Sequence, residues 1–317
     1  MNQPSSFYRI VLLVFITTPS LYGFSQYGEI YTKEFSFKTE NDAYLFKMND
    51  AYYTNGFYIG QTFVQTKNNS KRIHSFELGQ KIFTPLKRAT LTPADIDRAY
   101  CGYLFLNYGQ TRFLKKESLI QFTGSLGIVG PASWGEGLQN TYHGWLNYAP
   151  FFGWKYQIEN SLGIDLGATY ARTIAGNETM KLLPVAQLNI GTTYTNAKLG
   201  AMMVLGAFEK NSESALWNAR LSETAGTQKR NHELFAYWYP QLIVQGYNAT
   251  IQGGMFNKGT TAITQELSPL QFQQTIGLCY AQGRFTTRLE WVYQSKETPA
   301  QLKAQRYGVI QLGYRFR

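Results

Sequence analysis

From about Tyr31 onward the chain alternates between apolar and polar residues with a period of two, in one segment after another. No other feature restricts the fold as strongly. A strand sends successive side chains to opposite faces, and a helix cannot sustain that period. The last segment is the cleanest: Ile310, Leu312, Tyr314 and Phe316 share one face, and Gln311, Gly313 and Arg315 the other. Phe285, Leu289, Trp291 and Tyr293 oppose Arg288, Glu290 and Gln294 in the same way. Ile120, Phe122, Leu126 and Ile128 oppose Gln121, Thr123 and Ser125, while Leu188, Ile190 and Tyr194 oppose Gln187, Asn189 and Thr193. A soluble sandwich has the same period but more often turns its charges outward and its aromatics into a smaller core. Here the chain is 16% aromatic and only 16% charged, against about 25% charged in ordinary soluble domains. Strands whose apolar face meets lipid and whose polar face meets a lumen account for both figures. Lipid does not tolerate open sheet edges, so such strands must close into a barrel.

Twelve segments read as strands, at roughly 31–42, 53–66, 72–84, 100–114, 117–129, 157–173, 180–192, 195–208, 233–247, 270–282, 284–296 and 305–316. An even number is what a bacterial outer-membrane barrel requires. Aromatics near strand ends, Tyr52 and Tyr53, Tyr237 to Tyr239, Trp291 and Tyr293, read as interfacial girdles. Phe316, one place from the end, suits recognition by the barrel-assembly machinery. The N-terminus reads as a secretory signal over 1–25: Arg9, then an apolar run from Ile10 to Ile16, then Gly23-Phe24-Ser25 as a small-x-small cleavage site. That run falls short of the roughly 20 residues of a spanning helix. The expected product is one β-barrel domain over 26–317, in the outer membrane of a Gram-negative bacterium. Cys101 and Cys279 read as two unpaired, packed thiols. The net charge of +10 is scattered through strands and turns without a nucleic-acid motif. Anionic lipid or polysaccharide accounts for it at least as well.

Strand parity then orients the chain. With both termini periplasmic, the connections near 43–52, 85–99 and 130–156 lie at the outer end, and Lys67–Lys71 and Lys115–Glu117 become short periplasmic turns. Residues 209–231 form a long polar connection that parity places on the periplasmic side, with nothing in the sequence to account for its length. The outer end gathers polar groups. His143, one of three histidines, sits in a Gly- and Trp-rich connection, with Gln139 and Asn140 one turn before it if that stretch is helical. Glu40-Asn41-Asp42 closes the first strand and Tyr53-Thr54-Asn55-Gly56 opens its neighbour. Lys87 and Arg88 follow in the next outer loop, and Asp97-Arg98 reads as a structural ion pair. Each group also has a plain structural reading: Asn-Asp as a turn, Thr54 to Gly56 as strand-start chemistry, and Lys87-Arg88 as a solvated pair. Together, carboxylate, imidazole, amide and hydroxyl groups fit metal-assisted or His/Asp-driven ester hydrolysis, and an oxygen-rich set favours a hard cation such as Ca²⁺.

An ordered set of short motifs carries a resemblance. Glu40-Asn41-Asp42, Tyr53-Thr54-Asn55-Gly56, Gly79-Gln80 with Thr84-Pro85, Asp97-Arg98-Ala99-Tyr100 with Gly102, Gly127 to Pro131, Gln139 with His143, and Gly153-Trp154 with Gln157 appear in that order. The chain resembles the lipid A 3′-O-deacylase family of outer-membrane barrels, by motif over about 40–160 and weakly through Tyr293–Thr298 to the last strand. The resemblance implies a twelve-stranded barrel with its site between the outer-leaflet part of the wall and a loop helix. It implies Ca²⁺-dependent removal of the 3′-linked acyloxyacyl group from lipid A of lipopolysaccharide. Carried over residue by residue, it makes His143 the general base and has Asp42 orient it or help hold the cation. Asn41 and Thr54 would position cation, water or carbonyl, and Lys87 or Arg88 would meet a lipid A phosphate. Gln139 belongs on the substrate side. Ala99 and Cys101 depart from the family's Asp-Arg-Pro-Tyr-Ala-Gly, and Phe151 stands where some members carry Tyr. Two rivals remain at this stage. One is an outer-membrane phospholipase, for which Ser133 is the only serine close to His143; the other is a non-enzymatic pore or adhesion barrel.

Overall fold

A computed structural model describes residues 29–45, 52–68, 70–87, 90, 92–145, 151–225, 230–257 and 262–317. The signal segment expected over 1–25 lies outside the described residues. Twelve antiparallel strands form the wall. They are β1 (Lys33–Asn41), β2 (Tyr52–Lys67), β3 (Ser70–Thr84), β4 (Cys101–Leu114), β5 (Ser118–Val129) and β6 (Ser161–Arg172), then β7 (Met180–Gly191), β8 (Tyr194–Ala207), β9 (His232–Asn248), β10 (Leu270–Gln282), β11 (Phe285–Gln294) and β12 (Gln305–Phe316). Each strand pairs with its sequence neighbour, β1 pairs with β12, and β6 with β7, so the ring closes without an edge. Ala175–Gly176 only prolongs the β6 side against β7.

The two faces meet different solvents. Phe37, Ile59, Leu78, Leu126, Leu188 and Leu199 stand exposed on the outside. The inward side chains at alternate positions are charged and aromatic, and they enclose a polar lumen of about 400 Å³ lined by residues such as Lys38, Glu40, Glu77 and Lys81. Tyr194 also lines this lumen and so does not share a face with Leu188 and Ile190. The two-residue turn at 192–193 resets the parity between β7 and β8. Of the expected girdle tyrosines, Tyr53 lines the lumen, and Tyr237 and Tyr239 pack in the interior cluster with Phe235 and Cys279. Trp238, between them, faces outward and is exposed.

The long connection after β8 stops the periplasmic mouth. Its Ala215–Trp217 turn enters the barrel, where Ala215 and Leu216 pack with Leu119, Val204 and Phe235. The fully buried Glu233 carboxylate, inside β9, accepts bonds from the Glu209 and Ala215 N–H groups at 2.8 and 2.7 Å, the Ser214 hydroxyl at 2.7 Å and Arg220 at 3.3 Å. Lys71 donates to the Ser212 and Ala219 carbonyls and pairs with Glu213 at 3.0 Å. The segment is therefore a plug, and its polar composition satisfies inward charges that would otherwise lack partners.

At the other end, Arg98 is fully buried over the Phe83 ring. It pairs with Glu297 at 3.1 Å and donates to the Thr250 carbonyl and hydroxyl, tying three loops together. The expected Asp97–Arg98 pair does not form. Asp97 instead accepts the Tyr52 hydroxyl at 2.6 Å and the Leu86 N–H at 2.9 Å. Asp97 and Arg98 sit in a bend, and each has its partners on other segments of the mouth.

Candidate active site

The site grows from one row across four strands. Asn41 on β1 pairs with Asn55 on β2, Asn55 with Ile82 on β3, and Ile82 with Gly102 on β4. The row shares the face of Phe37, Ile59 and Leu78, so it lies on the outside of the barrel, toward lipid. Every member is nevertheless buried, because loops cover it.

At the β1 end the side chains are polar and mutually bound. Asn41 Nδ2 donates to Asn55 Oδ1, and Asn41 Oδ1 accepts the Ala43 N–H at 2.7 Å. That second bond is the local turn that Asn favours. It ends β1 and starts the short Asp42–Leu45 helical turn, in which Asp42 is buried. On β2 the register slips between Tyr53 and Asn55, leaving Thr54 as the extra residue of a bulge. Bulges re-aim side chains near sites. Here the bulge turns the Thr54 hydroxyl onto that of Thr84, at 2.7 Å, with no solvent exposure.

At the β4 end the wall is bare so that a helix can approach. A Cβ on Gly102 would lie 2.1 Å from Ser133 Oγ and 3.0 Å from Gly135 Cα. Helix α1 (Gly135–Trp145) starts at that contact. Gly130, at φ +99°, turns the chain and donates to the Gly102 carbonyl at 2.9 Å. Gln80 donates to the Ser133 carbonyl. The buried positions of α1 are Gly135, Gln139 and His143, one stripe at i, i+4 and i+8. With Gly135 against the wall, Gln139 and His143 face the wall too. The His143 ring lies 5.2 Å from the Phe151 ring, itself part of a cluster with Ile82, Tyr100 and Trp154.

Gln139 has no solvent exposure, and neither its amide oxygen nor its amide nitrogen has a hydrogen-bond partner among the described residues. Burying such a group unpaired costs about 1–3 kcal/mol. A water or substrate group between α1 and the wall would recover that. Ser133 is different: its buried hydroxyl donates to the Gly130 carbonyl at 2.6 Å, a bond that shapes the loop.

The structure thus places two hydrogen-bonded pairs at this rim, Asn41 with Asn55 and Thr54 with Thr84, and sets Gln139 and His143 on one helix face. The two groups flank Ile82. Asn41 stands two inter-strand spacings from it, about 10 Å. Lys87 is placed otherwise: its ammonium is exposed and pairs with Asp95 at 2.8 Å. That ammonium, with Thr92, holds the Asp95 carboxyl down to about 2. Arg88 lies outside the described residues. Among the described residues no group of three or more His, Cys, Asp or Glu side chains is placed to hold a metal. Any cation would therefore rely on amide, hydroxyl and backbone oxygens beside Asp42. Asn55 and Thr84, absent from the sequence-level site, were within reach of cross-strand register. Asn55 lies opposite Asn41 once the hairpin is paired.

A closed barrel with a buried row on its outer wall, polar at the β1–β2 end and beneath a loop helix at the β4 end, defines an outer-membrane β-barrel whose candidate site faces the lipid phase and not the lumen. The chain belongs to the LpxR family: the family model described as outer membrane protein LpxR matches residues 10–316. Among solved structures it is similar to LpxR from Salmonella typhimurium, with TM-score 0.74 and 18% identity, over 89% of this chain and 100% of that one. That likeness is one of fold. The β domain of the Bordetella autotransporter BrkA (TM-score 0.46, 8% identity, 91% and 99% covered) and the KdgM porin (TM-score 0.39, 8% identity, 90% and 99% covered) also match. No curated protein sequence matches the chain.

Proposed function

We propose that the chain hydrolyses the ester linking the 3′ acyloxyacyl group to lipid A. The observation that carries this reading is the position of the buried polar row with the Gln139–His143 stripe, on the lipid-facing wall at the outer end of the barrel. Lipid A is an outer-leaflet amphiphile whose acyl esters lie where headgroup meets hydrocarbon. A site there takes its substrate sideways from the leaflet, without passage through the lumen.

In the proposed reaction His143 accepts a proton from water as the water oxygen bonds to the ester carbonyl carbon. The tetrahedral intermediate then collapses, the C–O bond to the sugar breaks, and the imidazolium returns its proton to the 3′ oxygen. The products are the free acid and the 3′ alcohol. Asp42 orients the imidazole or contributes to a cation site. Gln139 hydrogen-bonds the substrate through the amide that has no protein partner. The Asp42 carboxylate, the second lone pair of Asn41 Oδ1 and the Thr54 hydroxyl would offer all-oxygen donors, whose chemistry fits a hard cation such as Ca²⁺ better than a soft one. A cation held there would stabilise the negative charge that develops on the carbonyl oxygen. Lys87 meets a lipid A phosphate by exchanging it for Asp95; Arg88 is the alternative cation.

A serine-based phospholipase fits less well, since the Ser133 proton is directed at a backbone carbonyl. Purified protein offered lipid A and diacyl phospholipid in mixed micelles separates the two. The reading expects release of the 3′ acyl group only, and loss of that release with chelator. Phospholipid cleavage with intact lipid A contradicts it.

A further inference from the structure

Arg72 on β3 and Arg112 on β4 are direct partners across the sheet. They continue the outward face of Phe76, Leu78 and Leu106, beside the turn residue Asn68 and the short turn at 115–117 and so at the periplasmic boundary. Like charges directly opposite each other destabilise a strand pair. Among the described residues no carboxylate lies within ion-pair distance of either. Arg112 uses Nε on Gln110 at 2.6 Å. Arg72 Nε is buried without a hydrogen-bond acceptor. Next to the pair is an aromatic wall: His74 stacks on Phe63 at 5.0 Å and shares a 2.8 Å hydrogen bond with the Tyr108 hydroxyl, while Phe76 packs on Tyr108 at 5.2 Å. Two unneutralised guanidinium groups at the edge of such a wall lack one thing, an anion at the membrane interface.

We propose that Arg72 and Arg112 together hold the phosphate of an anionic phospholipid headgroup in the inner leaflet, with its acyl chains against Phe76 and Tyr108. A phosphate between the two forks accepts paired N–H bonds from each and removes their mutual repulsion. Aromatic rings at the interface are the usual companions of a headgroup. The site is separate from the outer-wall row, at the opposite end of the same strands.

The test is native mass spectrometry of the full chain in detergent, titrated with phosphatidylglycerol, phosphatidylcholine or sodium phosphate, with heat-modifiable mobility as the folding control. Wild type is expected to retain one phosphatidylglycerol under activation that strips phosphatidylcholine. Arg72→Gln with Arg112→Gln is expected to weaken retention about tenfold, and Lys115→Gln with Lys116→Gln, equal charge lost from the adjacent turn, to change it less than about twofold. Arg112→Glu supplies Arg72 with an internal partner. It is expected to melt higher than wild type in lipid-free detergent and to gain nothing from phosphatidylglycerol, whereas wild type gains. Equal retention by the double glutamine variant and wild type overturns the proposal, as does equal loss in the turn variant. Displacement of the lipid by equimolar sodium phosphate also overturns it, by assigning the pair to a free anion.

Discussion

At the residue scale the account turns on His143 and Gln139. Gln139→Ala removes an amide without a protein partner, so it is expected to leave heat-modifiable folding intact while lowering deacylation about tenfold or more, the scale of one substrate hydrogen bond that strengthens toward the transition state. Unchanged turnover with a destabilised barrel would mean that Gln139 is only packing. Lys87 and Asp95 give a pH prediction. The Asp95 carboxyl is held at about 2, below the ordinary value near 3.9. Its pairing therefore contributes fully above that ordinary value and is lost as pH falls through about 2. A carboxyl carbon-13 titration of Asp95 should show a step near 2 in wild type and a step moved upward in Lys87→Ala, held below the ordinary value by the two Thr92 hydrogen bonds that remain. What the sequence held at this scale was the identity of the groups. Asn41, Asp42 and Thr54 could be placed at one rim by parity, but Arg98 could not be matched to Glu297, because a partner 199 residues away leaves no local pattern.

At the scale of elements, the strands were legible and the connections were not. Period two survives wherever one face meets lipid, and the observed strands fall within a few residues of those read from alternation. Connections follow no such period. Tyr194 lies on the face opposite to the one alternation implies, because the turn at 192–193 resets the parity. The plug at 208–225 was invisible because its polar groups answer inward charges scattered over Lys71, Glu233 and Arg288. Two predictions belong here. Gly102→Val places side-chain atoms where Gly135 and Ser133 now sit, so it is expected to lift α1 and abolish deacylation while the barrel still resists heat in a mobility assay; retained activity would remove α1 from the mechanism. Glu233→Ala strips the acceptor from two N–H groups, a hydroxyl and Arg220. It is expected to destabilise the barrel by about 3–5 kcal/mol, read as a lower urea midpoint in detergent; an unchanged midpoint would mean the plug hangs loosely.

At the scale of the whole molecule, the closed wall divides the chain between two chemistries. Inside are ion pairs, the plug and a polar lumen, which hold the barrel together. Outside, at the outer-leaflet end, the buried row of Asn41, Asn55, Ile82 and Gly102 interrupts the exposed apolar surface, and α1 starts over its Gly102 end. On the proposed reading, this placement puts the reaction at the membrane face. The most direct measurement is the lipid A mass spectrum of a lipopolysaccharide-bearing strain expressing this chain, compared with the same strain expressing His143→Ala at equal outer-membrane levels. The account predicts a loss of mass equal to the 3′ acyloxyacyl group with wild type and unmodified lipid A with the variant. Identical lipid A in the two strains would contradict it.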